Sequence, residues 1–333
     1  MTFWLQRQWY QQRRLAPALW LLLPLHALFV AVSGLRRGLY RLGVLLSVRL
    51  PVPVVVIGNL VAGGAGKTPL VLWLAGELQR RGYRPGILSR GYGGADGRPQ
   101  PVDAATSPAQ AGDEPVLLAR RSGVPLWVGR DRAAAGQALL AAHPEVNVLI
   151  CDDGLQHYRL ARDAEIVVFD RRGAGNGWRL PLGPLREPLA RLRSVDVLVF
   201  NGEVEAVLAA GRRAFAMRLQ PGDFYRLDDP VRTCTVVALQ GKALHALAGI
   251  GEPQRFFDTL RQLGLEFTPH PFADHHAYTA ADLDFGPQAV LLMTEKDAVK
   301  CAGLCPGEAW VLPVTAELPP TLADLLLEKF DGR

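Results

Sequence analysis

Lysine is scarce in this chain of 333 residues: there are five, against 32 arginines. A lysine that falls inside a motif is therefore not background. Carboxylates are absent from the first 76 residues, Glu77 being the first. Residues 1–49 hold seven arginines (Arg7, Arg13, Arg14, Arg36, Arg37, Arg41, Arg49), which leaves 30 basic against 32 acidic groups in the rest. The net charge of +5 thus belongs to the N-terminus, a distribution that suits an anionic membrane surface and argues against a nucleic-acid groove. The four cysteines (Cys151, Cys234, Cys301, Cys305) include no CxxC pair, and Cys301 and Cys305 lack zinc-ribbon spacing. A chain this long needs no disulfide staples, so a reduced, cytosol-facing protein is the simplest reading. Internal repeats and long low-complexity tracts are also missing.

What is present describes a packed chain of about two domains, with 49% hydrophobic and 21% charged residues. Leu15 to Leu35 is almost wholly apolar, with His26 and Ser33 its only clearly polar side chains. Arginines bracket it, and Trp4, Trp9, Tyr10 and Trp20 place amphipathic aromatics near one end. The run is as long as the ~20 residues that span a bilayer, although Pro17 and Pro24 interrupt a helix there. Three readings compete: a signal peptide ending near Ala31-Val32-Ser33, a buried core helix, and a membrane anchor. Arginines on both flanks favour an anchor lying in the headgroup region over one that crosses cleanly.

Beyond the anchor, continuous apolar runs alternate with helical stretches. The runs are Pro53–Asn59, Pro85–Ser89, Val124–Gly129, Asn147–Cys151, Ala164–Phe169 and Val195–Phe200. Such alternation predicts an α/β fold, a mostly parallel sheet with helices on both faces. The pattern is lost between Gly211 and Asp229, and Thr233–Leu239 opens a smaller α/β unit with a helix over Pro253–Leu263 and a strand at Ala289–Met293. The expected divisions are an anchor over 1–49, a nucleotide-binding domain over 50–220, and a smaller α/β domain over 230–333 that closes a cleft.

The strongest local signal is Val61-Ala62-Gly63-Gly64-Ala65-Gly66-Lys67-Thr68, placed between a strand and a helix. Its glycines let backbone N–H groups close around phosphates, Lys67 would reach the β- and γ-phosphates of ATP, and Thr68 would hold Mg²⁺. The motif departs from the usual P-loop in opening on Val61 instead of glycine. The strand Asn147–Cys151 ends in Asp152 and Asp153, either of which can deliver a carboxylate to the metal. Gly112-Asp113-Glu114-Pro115 reads as a helix start or as a functional pair of carboxylates. The loop Leu180–Pro188 presents Arg186 and Glu187, a functional pair or a simple surface ion pair, and Asp274-His275-His276 offers catalytic groups, metal ligands or a turn with a solvated imidazole. Thr294–Lys300 reads as a charged helix start.

Taken in order, these stretches resemble the tetraacyldisaccharide 4'-kinase family of lipid A biosynthesis. The matching pieces are Gly58-Asn59-Leu60 with the P-loop, Ser89-Arg90-Gly91-Tyr92-Gly93, Gly112–Pro115, Asp152-Asp153-Gly154-Leu155-Gln156-His157, the Pro181–Pro188 loop, Asp274-His275-His276 and Thr294–Ala298. The resemblance spans Gly58 to Lys300, and the non-glycine at Val61 is similar to the family pattern. It implies transfer of the γ-phosphoryl group of ATP, with Mg²⁺, to the 4'-hydroxyl of tetraacyldisaccharide 1-phosphate, forming lipid IV-A. It also implies an inner-membrane protein with its active site toward the cytoplasm, a lipid substrate at a membrane surface, no nucleic acid and no obligate protein partner. The resemblance assigns an Asp–His dyad to Asp113 and His275, with Lys67 as the phosphate-binding cation. Tyr92, Gln156, Arg186 and Glu187 would touch substrate or nucleotide. Rival readings are a membrane-associated kinase with another acceptor, a nucleotide-dependent membrane switch, and a zinc enzyme built on Asp274, His275 and His276.

Overall fold

The computed structural model describes residues 2–11, 15–91 and 97–331, so Arg13, Arg14 and Tyr92 lie outside the described residues. Helix α1 (Thr2–Gln11) precedes a 3-10 turn (Pro17–Leu22) that runs into α2 (Leu23–Arg41). Pro17 and Pro24 do not break this segment. Each sits in the first turn of its element, where a missing N–H costs nothing. Residues 17–41 form a helix apolar and long enough to cross a membrane, and only 6% of its most apolar window is buried. A buried core helix is therefore excluded.

The larger domain follows as β1 (Val54–Gly58), α3 (Lys67–Arg80), β2 (Pro85–Ser89), β3 (Gln100–Val102), α4 (Pro108–Ala111), α5 (Asp113–Ser122), β4 (Leu126–Val128), α6 (Arg132–Ala142), β5 (Val148–Asp152), β6 (Ala164–Asp170), β7 (Val197–Asn201), α7 (Ala206–Ala209) and β8 (Ala214–Pro221). The smaller comprises β9 (Phe224–Arg226), β10 (Thr233–Cys234), β11 (Ala243–Ala248), α8 (Pro253–Gln262), β12 (Thr268–Pro271), β13 (Ala289–Thr294), α9 (Glu295–Cys301) and β14 (Glu308–Leu312). The chain ends with β15 (Val314–Glu317) and α10 (Thr321–Asp331).

Among the described residues, nine strands form one sheet in the order β15-β8-β7-β6-β1-β5-β2-β4-β3, parallel except at its two edges. Its inner strands are apolar on both faces because helices cover both. Val55 and Ile57 of β1 pack with Leu70 and Leu74 of α3, while Val54 and Val56 pack with Leu139 of α6 and with Phe169. Chain order reverses around β1, which lies between β5 and β6, so the crevice beyond its carboxyl end is where a ligand is expected. A second sheet, β10-β9-β14-β13-β11-β12, carries the small domain.

One expectation needs correction. The unit expected over 230–333 ends at Leu312, because β15 pairs with β8 of the larger sheet. Leu318, Leu322, Leu326 and Phe330 then form a stripe at i, i+4 spacing that joins the core around α3. The two crossings between domains therefore run side by side, with the Gly222 N–H donating to the Pro313 carbonyl at 3.0 Å. Within the run Thr233–Leu239 that opens the smaller unit, only Thr233–Cys234 pairs as a strand, and Val236–Leu239 coils into a 3-10 turn. The interior strand of that region is β11, with the sequence ALHALA.

Candidate active site

The phosphate loop leaves β1 and enters α3 through Gly66, whose φ of 85° favours glycine. A Cβ at Gly66 would also collide with the Asn201 side-chain amide. Val61 explains the unusual opening of the loop. It is buried in the core and forms an antiparallel bridge with Leu185, so that position is extended and needs no glycine. The Ala62 N–H is likewise spent on the Pro184 carbonyl at 2.8 Å. Among the described residues, no partner takes the N–H groups of Gly63, Gly64, Ala65 and Gly66, which leaves them available to an anion at the start of α3.

Three side chains brace the loop from behind. Asn59 Nδ2 donates to the Gly63 carbonyl at 2.8 Å, Arg172 Nη2 to the Gly64 carbonyl at 2.9 Å, and Asn201 Nδ2 to the Ala65 carbonyl at 3.4 Å. The Arg172 guanidinium lies 4.7 Å from the centre of the Tyr10 ring, and the Tyr10 hydroxyl donates to the Ala62 carbonyl at 3.2 Å. Helix α1 thus reaches the phosphate loop.

The two carboxylates at the end of β5 have separate environments. Asp153, at a φ of 48°, takes Lys67 at 3.3 Å and Arg186 at 3.3 Å. Burial works against its charge, but those two cations hold its carboxyl at about 2. Asp152 is buried, and burial together with Glu114 and Asp153 pushes it up to about 7 against the pull of Lys67. One of its oxygens accepts from Ser89 Oγ at 3.4 Å, while Oδ1 has no hydrogen-bond partner among the described residues. An orphaned, buried carboxylate oxygen beside a phosphate loop suits a divalent cation. Among the described residues, no group of three His, Cys, Asp or Glu side chains could hold a metal alone. Mg²⁺ beside ATP needs only one or two carboxylates, the remaining oxygens coming from phosphates and water.

The dyad forms across the domain divide. Asp113 begins α5 of the larger domain, and His275 lies on the loop after β12 of the smaller. His275 Nδ1 is 3.1 and 3.2 Å from the two Asp113 oxygens. His275 has a φ of 59°, the left-handed turn that aims its ring at the larger domain. The hydrogen bond to Asp113 raises the imidazole above its usual value. Asp113 is buried, yet His275 and Lys296 hold its carboxyl below the usual range. Lys296 Nζ lies 3.0 Å from Glu114, 3.1 Å from Asp274 and 4.0 Å from Asp113, so one ammonium joins both domains at the dyad. Burial opposes its charge, but those three carboxylates raise it above the ordinary lysine value. Gly251 brings the small domain over the phosphate loop: a Cβ there would lie 3.2 Å from Gly64 N and 3.5 Å from Asp274 Oδ2.

Of the remaining expected residues, Gln156 sits between Arg186 at 3.4 Å and the Asn59 carbonyl at 3.2 Å, behind the phosphate loop. Glu187 turns away from Arg186; it is buried, accepting from the Tyr158 hydroxyl at 2.7 Å and pairing with Arg191 at 3.3 Å. His276 pairs with Asp282 at 3.4 Å and packs on Phe272, so it does not converge with His275 on a metal. Lys296, Arg172 and Ser89 lay outside the expected set. The scarcity that marked Lys67 marks Lys296 equally.

Comparison with known proteins places this geometry in context. The family model described as tetraacyldisaccharide-1-P 4'-kinase matches residues 18–331. A tetraacyldisaccharide 4'-kinase of Dechloromonas aromatica is 60% identical over 331 residues, covering 99% of this chain and 98% of that one. One from Azoarcus is 52% identical, covering 95% and 93%. The crystal structure of LpxK from Aquifex aeolicus in complex with ATP superposes with a TM-score of 0.78 at 30% identity, covering 93% of this chain and 98% of that chain.

Proposed function

Because the chain belongs to the tetraacyldisaccharide 4'-kinase family, and so uses ATP to phosphorylate the 4'-hydroxyl of tetraacyldisaccharide 1-phosphate in lipid A biosynthesis, we propose the following division of labour. The free N–H groups of residues 63–66 and the Lys67 ammonium cradle the β- and γ-phosphates of ATP. Thr68 and Asp152 hold Mg²⁺, whose bound charge would offset that developing on the transferred phosphoryl group. Asp153 fixes Lys67 and Arg186 at the same point. His275 accepts the proton of the 4'-hydroxyl. With Nδ1–H donating to Asp113, the proton would go to Nε2, which lies 3.8 Å from Asp274 Oδ2, and Asp113 orients the ring and stabilises the imidazolium.

The observation that carries this reading is the 3.1 Å contact between His275 and Asp113, made by residues of different domains beside the phosphate loop. A base assembled only when both domains are in place limits phosphoryl transfer to water while the cleft is open. The exposed helix over residues 17–41 and the acid-free, arginine-rich N-terminus support attachment to the cytoplasmic face of the inner membrane, with the lipid's acyl chains remaining in the bilayer.

The test is label transfer from γ-labelled ATP to tetraacyldisaccharide 1-phosphate by detergent-solubilised protein. Asp113→Asn and His275→Ala should each lose ~10²- to 10⁴-fold in kcat while ATP binding is retained. Turnover within a few-fold of wild type in both variants would reject the dyad.

A further inference from the structure

The free N–H groups of the phosphate loop are aimed by what holds the carbonyls behind them. In a planar trans peptide the carbonyl of one residue and the N–H of the next point to opposite sides, so fixing the first fixes the second. The Ala62 carbonyl accepts from the Tyr10 hydroxyl at 3.2 Å and the Gly63 carbonyl from Asn59 Nδ2 at 2.8 Å. The Gly64 carbonyl accepts from Arg172 Nη2 at 2.9 Å and the Ala65 carbonyl from Asn201 Nδ2 at 3.4 Å. These bonds turn the N–H groups of Gly63, Gly64, Ala65 and Gly66, in that order, to the other side of the loop. A glycine-rich backbone rotates freely, so the clamps are what keep those groups aligned.

Asn59, Arg172 and Asn201 belong to the larger domain, whereas Tyr10 comes from α1 in the N-terminal segment. Tyr10 acts on two of the clamps. Its hydroxyl makes the first, and its ring lies 4.7 Å from the guanidinium that makes the third. That guanidinium is tied on its other side, by Nε, to the Asp170 carboxylate at 2.9 and 3.2 Å. The ring thus completes the seat from which Arg172 reaches Gly64. Burial pushes the Tyr10 hydroxyl up to about 12 against the pull of Arg172, which keeps it a donor.

Helix α1 is itself fastened at a different place. Trp9 Nε1 donates to the Pro181 carbonyl at 3.0 Å, the Asn176 N–H donates to the Trp9 carbonyl at 2.8 Å, and Gln8 is buried. A Cβ at Gly175 would lie 2.7 Å from the Trp9 carbonyl, so glycine there lets the helix seat closely. None of these contacts involves the phosphate loop. Trp9 therefore holds the helix, and the neighbouring Tyr10 carries that hold to Ala62 and Arg172.

We propose that Tyr10 is a positioning residue for ATP: helix α1 is a strap that, through Tyr10, keeps the Gly63 and Ala65 N–H groups turned toward the phosphates. This rests on the kinase reading above and extends the nucleotide site into the N-terminal segment that the same reading gives to the membrane. Donors already in place spare ATP the cost of ordering the loop as it binds. The strap therefore contributes to the affinity for ATP and leaves that for the acceptor lipid alone.

The experiment uses full-length protein in mixed micelles with tetraacyldisaccharide 1-phosphate, reading the ATP KM, the acceptor KM and kcat, with isothermal titration of ATP alongside. Tyr10→Phe keeps the ring over Arg172 and removes only the hydroxyl; it should raise the ATP KM about 3- to 10-fold, as loss of one hydrogen bond does. Tyr10→Ala also uncovers Arg172 and should raise it roughly 10- to 50-fold. The acceptor KM, and kcat at saturating ATP, should stay within about two-fold. Trp9→Phe loses the bond to Pro181 and should raise the ATP KM about 2- to 5-fold, although Trp9 makes no contact with the phosphate loop. Combined with Tyr10→Ala it should add nothing, because the strap is already cut. An ATP KM unchanged in Tyr10→Ala would overturn the proposal. So would a penalty that falls on the acceptor KM, or on both substrates equally with a lowered Tm, since α1 would then hold lipid or the fold alone. Wild-type protein that binds ATP and labels no lipid would overturn the kinase reading instead, and the titrated ATP affinities of wild type and Tyr10→Phe would still decide the strap.

Discussion

Replacing Lys296 by methionine keeps most of the side-chain volume and removes the cation that Glu114, Asp274 and Asp113 share at 3.0, 3.1 and 4.0 Å. Breaking a buried pair costs about 3–5 kcal/mol. Glu114 and Asp274 are each about one-third exposed, at 34% and 31%, and can rehydrate, so the low end, ~3 kcal/mol, applies. In a domain of this size that corresponds to a fall in Tm of roughly 6–12 °C. The kinetic consequence has a definite sign. Lys296 opposes the charging of His275 and favours that of Asp113, so its loss raises both pKa values. The base must be neutral to accept a proton. The acidic limb of the kcat profile should therefore move to higher pH in Lys296→Met, with activity recovering as the medium becomes more alkaline. Asp113→Asn should move the same limb the other way, because the hydrogen bond to Asp113 is the largest cause of the raised His275 value. Lys296→Arg, which keeps the charge, should leave the limb near its wild-type position. The assay is kcat from pH 5.5 to 9 with saturating ATP and acceptor. A limb that stays put or moves down in Lys296→Met, with the Tm lowered, would make Lys296 a structural latch and refute its electrostatic role at the dyad.

Three further perturbations address other parts of the site. Lys67→Ala should reduce label transfer at least ~10²-fold, as removal of one preorganised charge does; retention of a tenth of the activity would remove Lys67 from phosphate binding. Because Asp152 must lose a proton near pH 7 before it can ligate a cation, the Mg²⁺ concentration for half-maximal rate should fall as pH rises from 6 to 8. That dependence should flatten in Asp152→Asn, and a flat wild-type profile would exclude Asp152 as the ligand. Gly251→Ala places a methyl 3.2 Å from Gly64 N and should raise the ATP KM several-fold with little change in Tm, as isothermal binding of ATP would report. Unchanged ATP affinity would mean that the small domain does not bear on the phosphate loop.

Much of the larger domain was legible because its signals are local. The phosphate loop from Val61 to Thr68 and the carboxylates at the end of β5 are each contiguous stretches of a few residues, and buried parallel strands read as unbroken apolar runs. The exceptions have physical causes. Strand β8 lies beside a sheet edge, with three half-buried residues, the buried Met217 and an alternation only over Arg218–Pro221, so Gly211–Asp229 looked patternless. Thr233–Leu239 has the β-branched composition of a strand but only two residues with a partner, and Val237 is left exposed. Strand β11 lacks β-branched residues, yet neighbours on both sides hold it. The return of β15 and α10 to the larger sheet depends on a pairing between Val314 and Pro221 that no local pattern announces.

The same contrast holds within the site and accounts for which residues were missed. Asp113 and His275 are 162 positions apart, and Glu114 and Lys296 are 182 apart. Such pairs exist only once the domains meet. The contacts made there cluster beside the phosphate loop. Arg171 pairs with Glu252, Arg255 donates to the Asn201 carboxamide behind Ala65, and Gly251 rests near Gly64. These three small-domain residues lie within five positions of one another, while Asp274, His275 and Lys296 meet the larger domain at the start of α5. Two sets of polar contacts, one over the nucleotide loop and one at the base, thus fix the position of a single rigid sheet. A change at either set displaces the other, so substitutions at Glu252 or Arg255 should alter the pH profile of His275 although neither residue touches it.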